Sequence, residues 1–306
     1  MASPIIIEAA LNGPWGPQKQ PGIPYKIKDI IAQGLACAQA GAAVIHIHPY
    51  DEATARQNDS FDTYRAIIEG IRERIDVIVT PTVPFGVADT TERFAVTARL
   101  AEAGLLDWAS VDPGSLNIAR FDELDSGGDG FVYANSLGTI RAGLALAAQY
   151  RFRPAYACYE PGFVRLGARL HRHYQAAPVP IYRLMFSDEF AFGFPPTEYA
   201  LAAYKTLLDT DAPGAPVMVS GLGVEITGLI PRAVEYGWHI RVGLEDAPMG
   251  SGATNLGLVE RAVARIVAAG GAIAGVAEAR GGVGENFGFA WRTSCSGANL
   301  INRKAR

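Results

Sequence analysis

The sequence has few cysteines and no long apolar run. Its three cysteines, Cys37, Cys158 and Cys295, are too few and too far apart for a disulfide framework or a paired-thiol metal site. We interpret them as buried thiols in a reducing cytoplasm. No apolar stretch approaches the roughly 18 residues of a membrane span, and the first four residues lead directly into a strand-like run without a basic leader. A cytoplasmic protein without a membrane segment is therefore predicted.

Motifs of several common enzyme and binding classes are also missing. There is no GxGxxG dinucleotide loop and no Gly-Lys-Ser/Thr phosphate loop, and Gly221-Leu222-Gly223 is only a fragment of such a motif. Neither a GxSxG turn nor the Ser-His-Asp residues of a hydrolase in a usual order occurs. The formal net charge is -4 and no basic run extends beyond the neighbourhood of residues 302–304, so no nucleic-acid partner is expected.

The sequence does contain a regular alternation of β-branched apolar runs with segments of helical periodicity. The predicted strands cover residues 5–11, 43–48, 77–83, 108–113, 154–159, 180–186, 217–222 and 239–244. The predicted helices cover residues 26–41, 61–75, 91–104, 140–150, 163–174, 198–208, 226–237 and 256–270. Eight strand–helix units favour a closed (β/α)8 TIM barrel in the α/β class, with an open doubly wound sheet as the alternative.

The domain organisation follows from this pattern. Residues 1–280 are assigned to a single catalytic barrel domain. Residues 122–130, with three glycines and four acids, are expected to be a flexible insertion before the fourth helix. Residues 281–306 are Gly-rich and irregular, and we expect this tail to lie at a subunit interface.

Two histidines end the second predicted strand, at the mouth of the barrel where such enzymes have their active sites. His46 and His48 are two residues apart, so strand alternation turns both toward the barrel interior. Two neutral imidazoles a few ångströms apart can share one metal ion. The alternative is a pair of histidines that only donate and accept hydrogen bonds in a polar layer.

An arginine and two acids mark the end of the eighth strand. Arg241, Glu245 and the adjacent Asp246 are difficult to explain by packing, because a buried carboxylate is costly unless it is paired or binds a metal. The first strand lies between the second and the eighth when a barrel closes, so Glu245 can face the two histidines. His, His and carboxylate form an ordinary catalytic zinc set. For Asp246, an N-cap of the following helix is the alternative.

Two further strand ends carry hydroxyl groups and an acid that can orient a small polar ligand. Thr80 and Thr82 share one face of the third strand, and Ser110 and Asp112 share one face of the fourth. Such residues also commonly end strands as turn formers. By themselves these four residues therefore predict a polar substrate only weakly.

With these positions in place, the sequence resembles the β-keto acid cleavage enzyme family (3-keto-5-aminohexanoate cleavage enzyme-like) from about residue 5 to residue 279. The resemblance rests on an ordered set of motifs at residues 9–13 (AALNG), 40–48 (AGAAVIHIH), 113–117 (PGSLN), 159–162 (YEPG), 220–223 (SGLG), 241–246 (RVGLED) and 254–255 (TN). The combination of the HxH pair with RxGxED is its most specific part.

The resemblance implies a zinc-dependent barrel enzyme, usually a tetramer, that converts a β-keto acid and acetyl-CoA into acetoacetate and a new acyl-CoA. By position, His46, His48 and Glu245 resemble the ligands of one Zn²⁺ ion. Arg241 and Asp246 resemble the dyad that removes the substrate's α-proton, and Thr82 stands at the place of a catalytic serine. The residues expected to contact substrate are Asn12, Trp15, Thr80, Ser110 and Asp112.

The chain also departs from the family pattern. Pro49-Tyr50 follows the second histidine where the family usually has Arg two residues on, and Trp15 and Ala157 stand at positions that are acidic in the type enzyme. An apolar or aromatic acyl chain is therefore expected, although Asp188 or Glu189 could contact a cation. Two other functions stay open: a CoA-independent metal-dependent aldolase or lyase, and a non-catalytic barrel that binds a keto acid.

Overall fold

The protein forms a nearly closed barrel of eight parallel strands. The structure, a computed structural model, describes residues 3–84, 86–87 and 89–282. The strands, numbered β1 to β8, are Ile7–Ala10, Val44–Ile47, Ile78–Pro81, Trp108–Ser110, Arg153–Cys158, Ile181–Phe186, Val217–Gly221 and His239–Val242. Their spatial order is β3-β2-β1-β8-β7-β6-β5-β4. The Ser110 hydroxyl donates to the Pro81 carbonyl oxygen at 3.4 Å, which brings β4 back beside β3. The predicted (β/α)8 fold is confirmed.

A helix follows each strand and covers the outside of the barrel. The helices, numbered α1 to α8, are Ile27–Gln39, Phe61–Arg72, Thr90–Glu102, Leu137–Tyr150, Pro161–His171, Glu198–Asp211, Ile230–Glu235 and Asn255–Ala268. Asp89, Ser136 and Thr254 cap α3, α4 and α8, because each side chain accepts a hydrogen bond from a backbone N–H of the first turn. The predicted seventh helix is shorter than expected and begins after a 3₁₀ turn, Thr227–Leu229.

The barrel interior is layered, and the layering determines where chemistry can occur. Its lower layer is apolar and includes Ile6, Val44, Ile78, Ile181 and Met218. Two residues further along from the first four of these, Glu8, His46, Thr80 and Arg183 are all buried, and the buried Arg241 of β8 pairs in register with Glu8. Because strand side chains alternate, these polar residues face the interior one layer above the apolar plug. The charged layer therefore lies directly beneath the mouth.

Two hairpins that the sequence did not indicate extend above the mouth. The first pairs Tyr50–Asp51 with Arg56–Gln57, and the second pairs Leu116–Ile118 with Phe131–Tyr133. A short helix, Phe121–Asp125, occupies part of the insertion predicted to be flexible. The backbone beside it is anchored to the loop after β6, since Ala191 N–H donates to the Ala119 carbonyl oxygen at 2.9 Å.

The predicted C-terminal tail, residues 281–306, lies outside the described residues from position 283 onward. Among the residues that are described, no helix combines the length and the apolar character that crossing a membrane would require.

Candidate active site

His46, His48 and Glu245 converge at the mouth of the barrel. The two imidazole Nε2 atoms lie 3.2 Å apart. The Glu245 carboxylate places Oε2 3.5 Å from His46 Nε2 and Oε1 3.4 Å from His48 Nε2. All three side chains are buried. The convergence predicted from strand alternation and barrel closure is therefore present in the structure.

Ala10 at the end of β1 connects the two strands that supply this cluster. It pairs in register with His46 on β2, and its carbonyl oxygen accepts a hydrogen bond from Glu245 N–H at 3.2 Å. On the other side Gly243 passes so close that a Cβ there would lie 2.0 Å from the Ala10 carbonyl oxygen. Its φ of +153° also favours glycine. Gly243 thus ends β8 and begins the turn that carries Glu245 toward the histidines.

The cluster fits a divalent metal ion. Its three ligand atoms lie within 4.8 Å of one another, and a tetrahedral ion with bonds of about 2.0–2.1 Å requires ligand separations near 3.3 Å. Glu245 Oε2 is buried and accepts no hydrogen bond from the described residues, which would be costly for a carboxylate oxygen without a cation. In the alternative, where the histidines serve only as hydrogen-bond partners, this buried oxygen would be left without a stabilising contact.

Each histidine is oriented from behind by a second residue. His46 Nδ1 lies 2.9 Å from the hydroxyl oxygen of Thr80, the next strand's residue in register. His48 Nδ1 lies 2.8 Å from Gln57 Oε1, on the first hairpin. The Gln57 amide nitrogen in turn donates to both oxygens of Asp59, at 3.0 and 2.9 Å. These contacts direct both Nε2 atoms into the cluster.

Arg241 joins the His46–His48–Glu245 cluster to two further buried acids, Asp246 and Glu8. Its Nε and Nη2 donate to the two carboxylate oxygens of Asp246, each at 2.8 Å. The same Nη2 lies 2.7 Å from Glu245 Oε1, and Nη1 donates to Glu8 Oε1 at 3.0 Å. Glu8 also pairs with Arg183, whose Nη2 lies 2.9 Å from its Oε2. The positive charges of both arginines are therefore balanced by buried carboxylates within the barrel.

These contacts determine the protonation of the site. Burial would raise the pKa of Glu245, but Arg241 and the two histidines outweigh it and hold that pKa well below 4.5. For His46 burial prevails, and its pKa falls well below 6.5. Burial is outweighed at His48, whose pKa is raised by the charge of Glu245 and by its hydrogen bonds. Burial, together with the charges of Glu245 and Glu8, raises the pKa of Asp246 to about 6.

A cavity of about 330 Å³ opens above the cluster, and several of the predicted residues line it. Trp15, Thr82, Ser110 and Asp112 contribute to its wall together with His46, His48, Arg241 and Glu245. The indole Nε1 of Trp15 donates to the Glu245 carbonyl oxygen at 2.8 Å, which fixes the ring beside Glu245. The Thr82 hydroxyl makes only a long contact of 3.4 Å with the Val83 carbonyl oxygen.

Three predicted site residues lie behind the cavity wall that the structure describes. Asn12 is fully buried and bonds to the backbone of Pro24 and to both the N–H and the carbonyl oxygen of His48. Thr80 lies behind His46, and Asp246 lies behind Arg241. The polar atoms of Asn12 and Thr80 bond to the two histidine residues, which gives both side chains a positioning role, and their direct contact with substrate stays a prediction.

The Tyr50 that replaces the family's usual arginine has a structural role. Its hydroxyl donates to the Gly13 carbonyl oxygen at 2.6 Å and accepts a hydrogen bond from Gly16 N–H at 3.2 Å. Tyr50 therefore holds the loop that carries Trp15 against the cavity.

Sequence reasoning missed Glu8, Arg183, Gln57 and Asp59. A signal existed for the first two, because each is a single charged residue at an inward position of an otherwise apolar strand. Gln57 and Asp59 follow an unpredicted hairpin and carried no comparable signal. Asp188 and Glu189, which could contact a cation, are not among the described residues of this cavity wall: Glu189 pairs with Arg120, and Asp188 is exposed.

Comparison with known proteins adds independent findings. A family model described as beta-keto acid cleavage enzyme matches residues 4–284. The chain is 28% identical over 250 residues to a 3-keto-5-aminohexanoate cleavage enzyme of Fusobacterium nucleatum, covering 80% of this chain and 84% of that protein. It is 25% identical over 282 residues to a 3-dehydrocarnitine:acetyl-CoA trimethylamine transferase of Rhizobium meliloti, covering 86% of this chain and 90% of that protein.

Among solved structures, apo ObcA superimposes with a TM-score of 0.68 at 17% identity. The match covers 85% of this chain but only 65% of ObcA. At this identity the likeness supports the barrel fold alone.

Proposed function

The chain belongs to the beta-keto acid cleavage enzyme family, and from this premise we propose that it converts a β-keto acid and acetyl-CoA into acetoacetate and a new acyl-CoA. The observation that carries the proposal is the convergence of His46, His48 and Glu245 beside the Arg241–Asp246 pair, at the base of a cavity. Both the enzyme class and the acetyl-CoA co-substrate agree with the activities for which the relatives are named.

The three-residue cluster would hold one divalent ion, and zinc is proposed because two imidazoles and a carboxylate form a common catalytic zinc set. When bound, such an ion supplies Lewis-acid stabilisation of the negative charge that develops on a keto oxygen. Glu245 is suited to this position because its low pKa keeps it ionised at neutral pH. Thr80 and Gln57 hold the two imidazoles in place.

Arg241 and Asp246 are proposed to remove the proton from the carbon between the keto and carboxylate groups. Arg241 faces the cavity, whereas Asp246 lies behind it with both oxygens on the guanidinium. The two therefore act as one unit: the guanidinium takes the substrate proton while one of its own protons passes to the carboxylate. A carboxyl group with a pKa of about 6 is a suitable final acceptor near neutral pH.

The resulting carbanion attacks the carbonyl carbon of acetyl-CoA, and CoA leaves as the thiolate. The thiolate then attacks the original keto carbon, and cleavage of the adjacent C–C bond releases the new acyl-CoA and the carbanion of acetoacetate, which takes back the proton held by the Arg241–Asp246 pair. The hydroxyls of Thr82 and Ser110 are proposed to orient the reacting carbonyl groups, because both line the cavity, and Asp112 is proposed to contact the substrate from the same wall. Trp15 covers the side of the site next to Glu245.

Acetyl-CoA dependence and metal dependence together test this proposal. We expect acyl-CoA to form from a panel of 3-oxo acids only when acetyl-CoA is present, and we expect EDTA treatment to abolish turnover and added Zn²⁺ to restore it. A His46→Ala variant should lose the bound ion in elemental analysis. Cleavage without acetyl-CoA would instead support the aldolase or lyase alternative, and binding without turnover would support the non-catalytic barrel.

Assembly and location are part of the same proposal. We propose a homo-oligomer, a tetramer by resemblance to the family, in the cytoplasm. Light scattering of the purified protein tests the assembly, and a monomer would contradict it.

A further inference from the structure

The wall of the cavity is charged at its base and apolar on one side. Beyond the metal cluster, the apolar side includes Trp15, Ile118, Tyr159, Met185 and Leu222. Most of these residues belong to a single hydrophobic cluster that also contains Phe190 and Phe192. A chain that extends from the reacting keto carbon along this side would contact mainly carbon atoms.

One acid of the cavity wall already accepts hydrogen bonds from other groups of the protein. Asp112 is the one carboxylate besides Glu245 in the part of the wall that the structure describes. Its Oδ1 accepts the Ala157 N–H at 3.0 Å, and its Oδ2 accepts the Tyr133 hydroxyl. The buried Arg93 donates to that same hydroxyl at 3.2 Å. Asp112 is therefore a poor partner for an ammonium group on a substrate.

The other charged residues near the wall do not favour a charged chain either. Arg183 lines the cavity but pairs with Glu8 in the buried layer. Lys19 contributes to the wall but is exposed, so water screens its charge at the rim. A chain with its own carboxylate would meet this screened lysine and arginines that are already paired with buried acids, and a chain with an amine would meet Asp112, whose two oxygens already accept hydrogen bonds from the protein.

We infer that the substrate of this enzyme is a 3-oxo acid with an uncharged, apolar acyl chain, which packs against Ile118, Met185 and Leu222. This inference rests on the proposed function. It separates the chain from the two relatives above, which are named for substrates with an amino and a trimethylammonium group. Burial of one methylene is worth about fourfold in binding, so kcat/KM should rise with chain length until the cavity is filled.

A panel of four acids, each supplied with acetyl-CoA, tests the inference. The acids are 3-oxohexanoate, 3-oxooctanoate, 5-amino-3-oxohexanoate and 3-oxoadipate, and the readout is kcat/KM for formation of the new acyl-CoA. We expect kcat/KM for the two acids with uncharged acyl chains to exceed that for the two acids with charged chains at least a hundredfold. Of the first two, 3-oxooctanoate should have a higher kcat/KM than 3-oxohexanoate. Preference for a charged acid overturns the inference while the proposed function stands. Failure of all four acids overturns the proposed function itself.

A matched pair of variants on the second hairpin tests where the chain lies. Ile118→Glu places a carboxylate in the apolar wall, whereas Val132→Glu makes the same change on the partner strand at a residue that is 65% exposed. We expect Ile118→Glu to lower kcat/KM for 3-oxooctanoate at least tenfold and to raise kcat/KM for 5-amino-3-oxohexanoate. Val132→Glu should leave both values unchanged. If the two variants discriminate equally between these two substrates, the acyl chain does not lie against Ile118. If circular dichroism shows that Ile118→Glu does not fold, Leu222→Ala replaces it. This variant should lower kcat/KM for 3-oxooctanoate more than kcat/KM for 3-oxohexanoate.

Discussion

His48 and Gln57 are joined by a hydrogen bond of 2.8 Å between imidazole Nδ1 and amide Oε1. The orientation of the amide follows from its other end, where the nitrogen donates to both oxygens of Asp59. Because a carboxylate only accepts, the amide oxygen must face His48. In its neutral form His48 therefore carries its proton on Nδ1 and presents the Nε2 lone pair to the centre of the His46–His48–Glu245 cluster.

Replacing Gln57 should weaken metal binding without unfolding the barrel. In Gln57→Leu the imidazole loses the acceptor that fixes its tautomer and ring orientation, and such losses typically cost 10–100-fold in metal affinity. We expect a Zn²⁺ dissociation constant higher by about that factor, measured by competition with a chromophoric chelator. Arg56→Leu, on the same hairpin strand but exposed, is the matched control and should keep the original affinity. Equal affinity in both variants would contradict the assigned role.

The convergence of His46, His48 and Glu245 could be predicted from the sequence because barrel closure and strand alternation are regular. Ala10 pairs with His46 as expected of neighbouring strands, so the meeting of strands β2 and β8 across β1 could be foreseen. Strand alternation could not explain why two consecutive residues, Glu245 and Asp246, both contact Arg241. They do so because β8 ends at Val242 and a turn begins at Gly243.

Residues that act through hairpins and long-range ion pairs could not be predicted in the same way. Gln57 reaches His48 only because Tyr50–Asp51 pairs with Arg56–Gln57, a hairpin of two-residue strands without a strong periodic signal. Glu8 and Arg183 are 175 residues apart, and their pairing depends on a shared layer of the closed barrel. Local patterns carry no information on such a contact.

Asp246 should be needed for turnover and not for metal retention. Asp246→Asn keeps the size of the side chain but removes the charge that accepts the proton from Arg241, and loss of a general base typically costs 10²–10⁴ in rate. We expect kcat to fall by roughly a hundredfold or more, with one Zn²⁺ per chain still present in elemental analysis. Asp188→Asn, an exposed position outside the described cavity wall, is the control and should keep full activity. Full activity in Asp246→Asn would contradict the proposal that Arg241 and Asp246 together remove the substrate proton.

Glu8 should be a major determinant of stability. It is completely buried and neutralises Arg183 and Arg241 at once, so Glu8→Gln leaves two buried cations with less compensation. Breaking a buried ion pair in this way typically costs about 3–5 kcal/mol, and we expect a loss of that order in urea unfolding. Glu69→Gln, which breaks the exposed Arg65–Glu69 pair, should change stability by less than about 1 kcal/mol. Similar small effects of both changes would contradict the argument.

His239 should make the stability of the barrel depend on pH in the acidic range. Its Nδ1 accepts a hydrogen bond from Ile6 N–H at 3.1 Å, and burial, with a smaller effect of Arg153, lowers its pKa from 6.5 to about 3. Below pH 6.5 the unfolded chain binds a proton that the folded chain does not, so the stability present above pH 6.5 is lost as pH falls toward 3. His239→Asn keeps an acceptor for Ile6 but cannot titrate. Between pH 6 and pH 4 the original protein should therefore lose roughly 2 kcal/mol more than the variant in urea unfolding, whereas parallel losses would show that His239 is protonated in the folded state.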